Sequence, residues 1–425
     1  MSDLASPTAA ARTAANRAAF FRQSSWMMMA TIIGGVLMWS VHLLSKRIPA
    51  SEYGTLITLL SVVNLVPTLP LQMVFTQQTA RALATGGEAQ LSGLIRRFWL
   101  GIFLLWAAGA AGVWVFHQGI ALRWHLAYPA ALPMLLLVIL LSLWWPVVAG
   151  VMQGRQNFLW LGWATILNGA GRIGAAVLLV FIWQGWAAGI MGAVALGLLV
   201  ATGIGAWQSK SLWRTAAGPF DRGILLGQVV PLMLGFAATQ FLFSADTAFV
   251  NAYFGAEATA PYGAAGTLSR ALLWLVLPLA GVMFPKVVHS TVRAEKASLT
   301  GVALLVTGAL AGAGFLGLWL LGPWLVPLVF PASYARETLA VLPWYAGAMI
   351  PLALGNVLVN DLLARSRFKI VPALLVLAAV YGLTLIRFHT SPTLILQILG
   401  GFNLLLLAVC AGYVWWEGKC EFDRA

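Results

Sequence analysis

Charged residues are scarce in this chain. Only 9% of its 425 residues are Asp, Glu, Lys or Arg, whereas 61% are hydrophobic. Soluble domains carry roughly 25% charged residues. No hydrophilic stretch is long enough to form a soluble catalytic or binding domain. The composition therefore excludes a soluble globular protein, and it predicts a polytopic membrane protein whose function lies among its helices.

Cysteine and catalytic motifs are also lacking. The two cysteines, Cys410 and Cys420, have neither the number nor the spacing of a disulfide framework or a metal site. The HExxH and P-loop patterns are absent. We therefore expect no metal site and no enzyme. The formal charge of +13 fits membrane topology and attraction to anionic lipids better than binding of nucleic acid.

The apolar segments predict twelve membrane-spanning helices, at about 20 residues per crossing. The run after residue 24 is too long for a signal peptide, so we expect the first span to be retained. The predicted domains are a cytoplasmic segment 1–24, an N-lobe 25–207 with spans 1–6, a cytoplasmic linker 208–223, a C-lobe 224–416 with spans 7–12, and a cytoplasmic tail 417–425. The spans centre near residues 35, 65, 107, 138, 170, 196, 238, 275, 310, 350, 379 and 404.

Lysine and arginine concentrate on one side of the predicted membrane. The two termini and the even-numbered loops hold 18 of the 25 basic residues, and the odd-numbered loops hold five. Because cytoplasmic loops retain positive charge, both termini are predicted to be cytoplasmic. The remaining two, Arg172 and Arg270, fall inside spans 5 and 8.

The two halves of the chain repeat an order of features. Tyr53-Gly54 corresponds to Tyr262-Gly263, and Leu-Pro-Leu, Phe and Arg-x-x-Phe landmarks follow at offsets of 208 to 210 residues. Such a constant offset indicates a duplication. Because each half has an even number of spans, both enter the membrane from the same side. Transporters with parallel repeats of this kind place the substrate between their halves.

Span 5 carries an arginine near the middle of the membrane. Its Gly169, Gly171 and Gly174 match GxGxxG, but no βαβ unit surrounds them, so close helix packing is the better interpretation. Arg172 could line a water-filled cavity and bind phosphate oxygens with its planar fork. Asn168, four residues earlier, shares its face. The alternative is a structural arginine bonded to helix-end carbonyls or to a carboxylate.

Span 7 carries a carboxylate, Asp246, within a polar stripe at helical spacing. Span 8 returns from the same outer loop with Arg270, so the two could form an intramembrane ion pair. Coupling of a cation by Asp246 and simple interfacial exposure are the alternatives. We expect secondary polar lining from Gln240, Ser244, Thr247, Asn356 and Asn360, for which interhelical hydrogen bonding is the plainer explanation.

Four stretches carry a family resemblance across nearly the whole chain. Together they resemble the polysaccharide-biosynthesis exporters that include the O-antigen flippases, within the multidrug/oligosaccharidyl-lipid/polysaccharide (MOP) superfamily. This resemblance implies an all-α integral membrane protein with two V-shaped six-helix lobes, located in the bacterial inner membrane. The stretches are SKRIPASEYGTLITL after span 1, GVMQGRQNF after span 4, SADTAFVNAYFGAEATAPYGAAGTLSRALLWL across spans 7 and 8, and NVLVNDLLARSRFK after span 10.

The function implied by this resemblance is the flipping of a polyprenyl-pyrophosphate-linked oligosaccharide to the outer leaflet by alternating access. The implied partners are that substrate, membrane lipids, and a glycan polymerase and glycosyltransferases. No cofactor is implied, and coupling to Na+ or H+ stays open. The two intramembrane arginines suit an anionic substrate, and we expect Arg172 to pass its headgroup to Arg270, restrained by Asp246. An ion-coupled multidrug antiporter is the alternative, and a membrane-embedded glycan polymerase or ligase is disfavoured by the short outer loops.

Overall fold

The computed structural model describes residues 25–124, 126–219, 222–290 and 296–422, so the predicted N-terminal segment 1–24 lies outside the described residues. The described part of the chain is almost entirely helical and contains no strand. The helices of the first half are α1 (25–39, continued by the 3-10 segment Ser40–Arg47), α2 (Ala50–Asn64), α3 (Thr68–Thr85), α4 (Glu88–Val115), α5 (His117–Arg123), α6 (Ala131–Gly154), α7 (Phe158–Phe181), α8 (Trp186–Gln208) and α9 (Lys210–Arg214).

The second half begins with one long helical segment, Arg222–Ser290, that is divided at Gly255. The φ of 83° and ψ of 171° at this residue are open essentially to glycine alone. We call the helix before Gly255 α10 and the helix after it α11. The remaining helices are α12 (Lys296–Val329), α13 (Ala332–Ala364), the short 3-10 turn Phe368–Ile370, α14 (Val371–Arg387) and α15 (Pro392–Phe422).

The number of spans agrees with the prediction. Within the described residues, eleven segments are long and apolar enough to cross a membrane. One of them, Val229–Ala271, contains the break at Gly255. Counted as its two parts, α10 and α11, it brings the total to twelve helices, arranged as six in each half.

Each half forms its own bundle. In the first, α7 packs on α8, and α6 packs on α3 and α8; in the second, α13 packs on α10–α11, α12 and α15. The third span of each half is peripheral, since only 6% of the most apolar stretch of Glu88–Val115 and 11% of that of Thr300–Val329 are buried. This shared placement supports the duplication.

The lobes meet mainly through α2. This helix packs extensively against the α10–α11 hairpin, with smaller contributions from α3 and from the 3-10 segment Ser40–Arg47, which touches α12. Among the described residues, α4, α6, α7 and α8 make no comparable contact with the second half. One helix therefore carries most of the interface between the lobes.

The second span is broken in the middle. Helix α2 ends at Asn64 and α3 begins at Thr68, with Pro67 between them. Proline has no N–H to continue the ladder and disfavours helical geometry in the residue before it. Two of the carbonyls at the end of α2 still accept backbone hydrogen bonds. The N–H of Leu65 donates to the carbonyl of Val62, and the N–H of Val66 donates to that of Val63, each at 3.1 Å.

The predicted linker 208–223 is partly attached to the first lobe. The backbone N–H of Gly218 donates to the carbonyl of Ala89 at 2.7 Å, and the Ser92 hydroxyl donates to the carbonyl of Leu212 at 2.7 Å. Arg96 donates to the carbonyls of Trp213 and Thr215. The segment from α9 to Gly218 therefore lies against the start of α4.

Candidate functional site

A buried ion pair lies in the second lobe between α10 and α11. Arg270 Nη2 donates to Asp246 Oδ1 at 2.8 Å and to the Thr247 hydroxyl at 3.0 Å. The Nε of Arg270 donates to the carbonyl of Phe243 at 3.0 Å. Asp246 is fully buried and Arg270 is 7% exposed. The sequence left three alternatives for Asp246, namely an ion pair, cation coupling and interfacial exposure. In the described conformation Asp246 forms the ion pair with Arg270.

Two tyrosines complete the environment of this carboxylate. The hydroxyl of Tyr262, on α11, donates to Asp246 Oδ2 at 2.9 Å, and the hydroxyl of Tyr345, on α13, donates to the same oxygen. Gly266 permits the approach of α13, because a Cβ there would lie only 3.0 Å from the Tyr345 hydroxyl. Both carboxylate oxygens therefore have donors, and such satisfaction is what makes a buried charge tolerable.

The ion pair lies deeper than the sequence suggests. Hydropathy places the outer end of span 8 at Tyr262, but α11 begins directly after Gly255. Arg270 is therefore about 22 Å along its helix, and Asp246 about 13 Å before the break, at 1.5 Å per residue. The polar stretch around Glu257 is helical, and a single glycine makes the whole turn.

The polar stripe of α10 mostly points into the protein. Ser244, Thr247 and Asn251 are fully buried. The Ser244 hydroxyl donates to the Gln240 carbonyl at 3.0 Å, and the Asn251 amide donates to the Trp124 carbonyl at 3.0 Å. Gln240 is half-buried and donates its side-chain amide to the carbonyl of Asn64 at 2.8 Å. This bond joins the two lobes at the point where span 2 is broken.

Arg172 has a different environment from Arg270. It lies on α7, about 21 Å from one end of the helix and 14 Å from the other, and its residue surface is half-buried. Its Nε is buried and has no hydrogen-bond partner. Within the described part of the chain, its guanidinium makes no hydrogen bond and lies within 4.0 Å of no carboxylate. This arginine is an uncompensated charge at mid-membrane depth.

The surroundings of Arg172 come from α1 and α8. Its Cβ would be 3.2 Å from a Cβ at Gly197, so this glycine lets α8 lie close to α7. Asn168 is buried, and its amide nitrogen is 3.7 Å from the sulfur of Met38 on α1. Asn168 thus takes part in the packing of α7.

The remaining candidates are half-buried or packed. Asn360 donates to the carbonyl of Asn356 at 2.7 Å, so the pair is bonded along one helix, α13. Of the span 5 glycines, Gly169 serves close packing, since a Cβ there would be 2.7 Å from the carbonyl oxygen of Gly34. A Cβ at Gly171 would make only an ordinary contact and one at Gly174 would meet nothing within 4 Å, so close packing does not account for Gly174. The described residues contain no cluster of three His, Cys, Asp or Glu side chains that could hold a metal ion.

Sequence reasoning did not assign the tyrosines to the site. Tyr262 belongs to the repeated Tyr-Gly pair, and that repetition could have marked it as a candidate site residue. No sequence feature marks Tyr345, because it lies 99 residues from Asp246 and nothing in its neighbourhood is unusual. His42, in the 3-10 segment after α1, is packed in the structure: it is 8% exposed, and its Nδ1 lies 3.2 Å from the Tyr53 hydroxyl.

No protein-family model and no curated protein sequence matches the chain. Solved structures do match over nearly its whole length, and they define its fold as that of MOP-superfamily transporters. The prediction of an all-α membrane protein with two six-helix lobes of this type is confirmed.

Three of these structures show the range of proteins that share the fold. A multidrug resistance MATE family transporter in an inward-facing conformation matches with a TM-score of 0.75 at 11% identity, over 92% of this chain and 95% of that one. Lipid II flippase MurJ, inward closed, matches with 0.68 at 14%, over 93% and 87%. A MOP superfamily transporter from Pyrococcus furiosus, described by the reverse polarity of its binding pocket, matches with 0.67 at 12%, over 95% and 96%. These neighbours are transporters and a flippase, and at 11 to 14% identity they show the fold of this chain alone.

Proposed function

We propose that this protein is a flippase that moves a polyprenyl-pyrophosphate-linked oligosaccharide between the leaflets of the bacterial inner membrane. The observation that carries the proposal is the unpaired Arg172. An arginine at the centre of a membrane helix costs about 2.5–3.5 kcal/mol on insertion scales. The described residues provide it with neither a carboxylate nor a hydrogen-bond acceptor, so its donors are left for an anionic ligand.

The chemistry of the guanidinium favours a phosphate. Its planar array of donors matches two oxygens of one phosphate group, and it stays charged at any physiological pH. A polyprenyl pyrophosphate combines such a headgroup with an apolar tail that can stay in the lipid. Lipid II flippase MurJ shares the fold, and its name shows that this architecture can serve a lipid-linked substrate.

In this proposal Arg270 is a second contact for the headgroup, reached after Arg172. In the described conformation it is held by Asp246, Thr247 and the Phe243 carbonyl, so its charge is paired and its donors are less free than those of Arg172. A transfer of the headgroup from Arg172 to Arg270 requires these bonds to loosen in another conformation. We retain Asn168, Asn356, Asn360 and Gln240 as weaker polar contacts for the substrate or the coupling ion.

The second candidate is an ion-coupled multidrug antiporter. The match to a multidrug resistance MATE family transporter favours it, and Asp246 would then couple Na+ or H+. The charge of the site argues against it, because a cationic drug would meet the unpaired Arg172, while the candidate coupling carboxylate, Asp246, is already bonded to an arginine and two tyrosines.

The test is a binding and export measurement on Arg172 variants. We expect Arg172→Ala to weaken binding of a fluorescent polyprenyl diphosphate to the purified protein by about 10- to 100-fold, the range for a hydrogen bond to a charged group. Arg172→Lys should recover only part of it, because lysine supplies charge without the planar fork. Glycan export in complemented cells should fall in the same order.

The matched control is Arg336→Ala, which removes an exposed arginine on α13 in the second lobe. This variant should bind and export as the parent does. Unchanged binding and export by Arg172→Ala would refute the proposed contact. Efflux of a cationic dye that depends on Asp246, without any binding of polyprenyl diphosphate, would instead establish the antiporter.

A further inference from the structure

The two repeated Tyr-Gly pairs lie together where the lobes meet. Helices α2 and α11 run in the same direction, because Gly54 lies against Ala256 and Ile57 lies against Gly263, three and seven residues further on. A Cβ at Gly54 would be 1.8 Å from the backbone oxygen of Ala256, and one at Gly263 would be 2.4 Å from Ile57 Cγ2. The two glycines therefore permit a closer contact between the helices than a residue with a side chain would.

Neither glycine is required by its backbone conformation. Both are helical, and only Gly86 and Gly255 among the described glycines have a positive φ. Glycine in a helix interior is costly relative to alanine. The close approach of the second lobe is thus the physical reason for glycine at both positions.

Aromatic and polar contacts extend this contact toward the outer end, the end that the charge asymmetry predicts to face away from the cytoplasm. Tyr53 is fully buried, and its ring stacks on Tyr334 at 6.3 Å and packs on Phe330 at 5.8 Å. The Ser45 hydroxyl donates to the Val329 carbonyl at 3.1 Å. All of these bonds and rings join the first lobe to the second.

The two copies of the tyrosine have taken different roles. Tyr53 reaches across to the other lobe, whereas Tyr262 stays in its own lobe and donates to Asp246. Separation of the lobes would therefore break the ring contacts of Tyr53 but not the hydrogen bond of Tyr262. The contact is built from duplicated residues, but it is not symmetric.

We propose that this contact, made by Gly54, Ile57, Ala256 and Gly263 and covered by Tyr53, is the outer gate, and that the absence of a side chain at Gly54 sets the resting state. A methyl group at position 54 meets backbone that cannot rotate away, so it separates the outer ends and favours the state that is open outward. A methyl group at 263 meets side-chain atoms of Ile57 rather than backbone, with Cγ2 at 2.4 Å and Cβ at 3.1 Å, so its effect is smaller. This inference does not depend on the substrate.

The experiment measures the accessibility of two reporter cysteines in a chain with Cys410 and Cys420 replaced by serine. Ser45→Cys reports on the gate, because Ser45 is fully buried there, and Asn64→Cys reports on the lobe boundary beneath it, where Asn64 is exposed. An impermeant maleimide is applied to intact cells for the first reporter and to inside-out vesicles for the second. We expect Gly54→Ala to raise labelling at 45 about tenfold and to lower it at 64, as overpacking of one methyl group predicts.

Two controls separate a gate from a general loosening. Gly109→Ala places a methyl group on α4 where nothing lies within 4 Å, and it should change neither reporter. Gly263→Ala should raise labelling at 45, and addition of Ile57→Ala, which removes the opposing Cγ2, should reverse that rise. Unchanged labelling in Gly54→Ala, increased labelling at both positions, or failure of Ile57→Ala to reverse the effect of Gly263→Ala would each overturn the proposal.

Discussion

At the scale of single residues, the two intramembrane arginines differ in how their charge is compensated. Arg270 is neutralised by Asp246 and hydrogen-bonded to Thr247 and a backbone carbonyl. Its guanidinium also lies over the rings of Phe243 and Tyr345, at 5.3 and 5.4 Å from their centroids, where cation–π attraction adds to the pair. Arg172 has none of this within the described chain, so the structure explains how the charge of Arg270 is held, and Arg172 is the residue for which we propose an anionic ligand.

The pairing of Asp246 with Arg270 predicts a compensating double substitution. Asp246→Asn alone leaves an uncompensated buried cation and should cost about 3–5 kcal/mol of stability. Adding Arg270→Gln removes that cation, so thermal unfolding in detergent and glycan export should recover much of the loss. A coupling role for Asp246 predicts instead that the double variant unfolds like the parent but stays inactive.

The matched control for this cycle is Asp361→Asn. Asp361 pairs with Arg365 at 2.9 Å, one turn apart on the same helix and partly exposed, where such pairs contribute only about 0.3–0.5 kcal/mol. If Asp246→Asn were as mild as this control, the buried pair would have neither of the two roles.

At the scale of elements, a side chain from one helix caps another. The N–H of Ala187, in the first turn of α8, donates to Glu52 Oε2 of α2 at 3.1 Å. Glu52 is 7% exposed. A carboxylate at this place accepts a hydrogen bond that the helix cannot satisfy itself and is attracted by the positive end of the helix dipole.

Removal of this cap should destabilise the first lobe. We expect Glu52→Ala to cost about 1–2 kcal/mol, seen as a lower midpoint of thermal unfolding, and Glu52→Gln to lose less because its oxygen still accepts. Glu88→Gln, in the exposed first turn of α4, is the control and should leave the midpoint nearly unchanged. Equal midpoints for Glu52→Ala and the parent would show that the contact contributes nothing.

The elements themselves could largely be predicted from the sequence. Length and hydropathy identify the twelve spans, because each must satisfy its backbone internally and be apolar along about 20 residues. The turn at Gly255 could not be placed, because the residues on both sides of it are polar enough to resemble a loop. Only their helical conformation places Asp246 and Arg270 at their observed depths.

At the scale of the whole molecule, the two ends of the bundle are predicted to face different compartments. Gln90 follows the turn between α3 and α4, Glu257 follows the turn at Gly255, and both are exposed. In intact cells, an impermeant maleimide should label a cysteine at 257 and not one at 90, because the basic residues concentrate at the end that carries Gln90. Labelling at 90 alone would reverse the orientation of the whole chain.

The candidate site was less accessible to sequence reasoning than the fold. Two charges on consecutive spans suggest the pairing of Asp246 with Arg270, because an isolated charge in lipid is costly, but the sequence left it open beside cation coupling and interfacial exposure. The approach of Tyr345 and the contact of Tyr53 with Tyr334 depend on helix tilt and on how the lobes meet. These are set by packing between residues far apart in the chain, which no periodicity encodes.

The single-glycine turn at Gly255 also bears on how the chain enters the membrane during synthesis. Alone, α10 and α11 would each bring a buried charge into the bilayer, at about 2.5–3.5 kcal/mol on insertion scales. Joined by one residue, they can enter together as a neutral hairpin, with Asp246 and Arg270 already facing each other. The ion pair then favours the correct alignment of the two helices, because a slip of one residue in either helix turns its side chain by about 100° and breaks the pair.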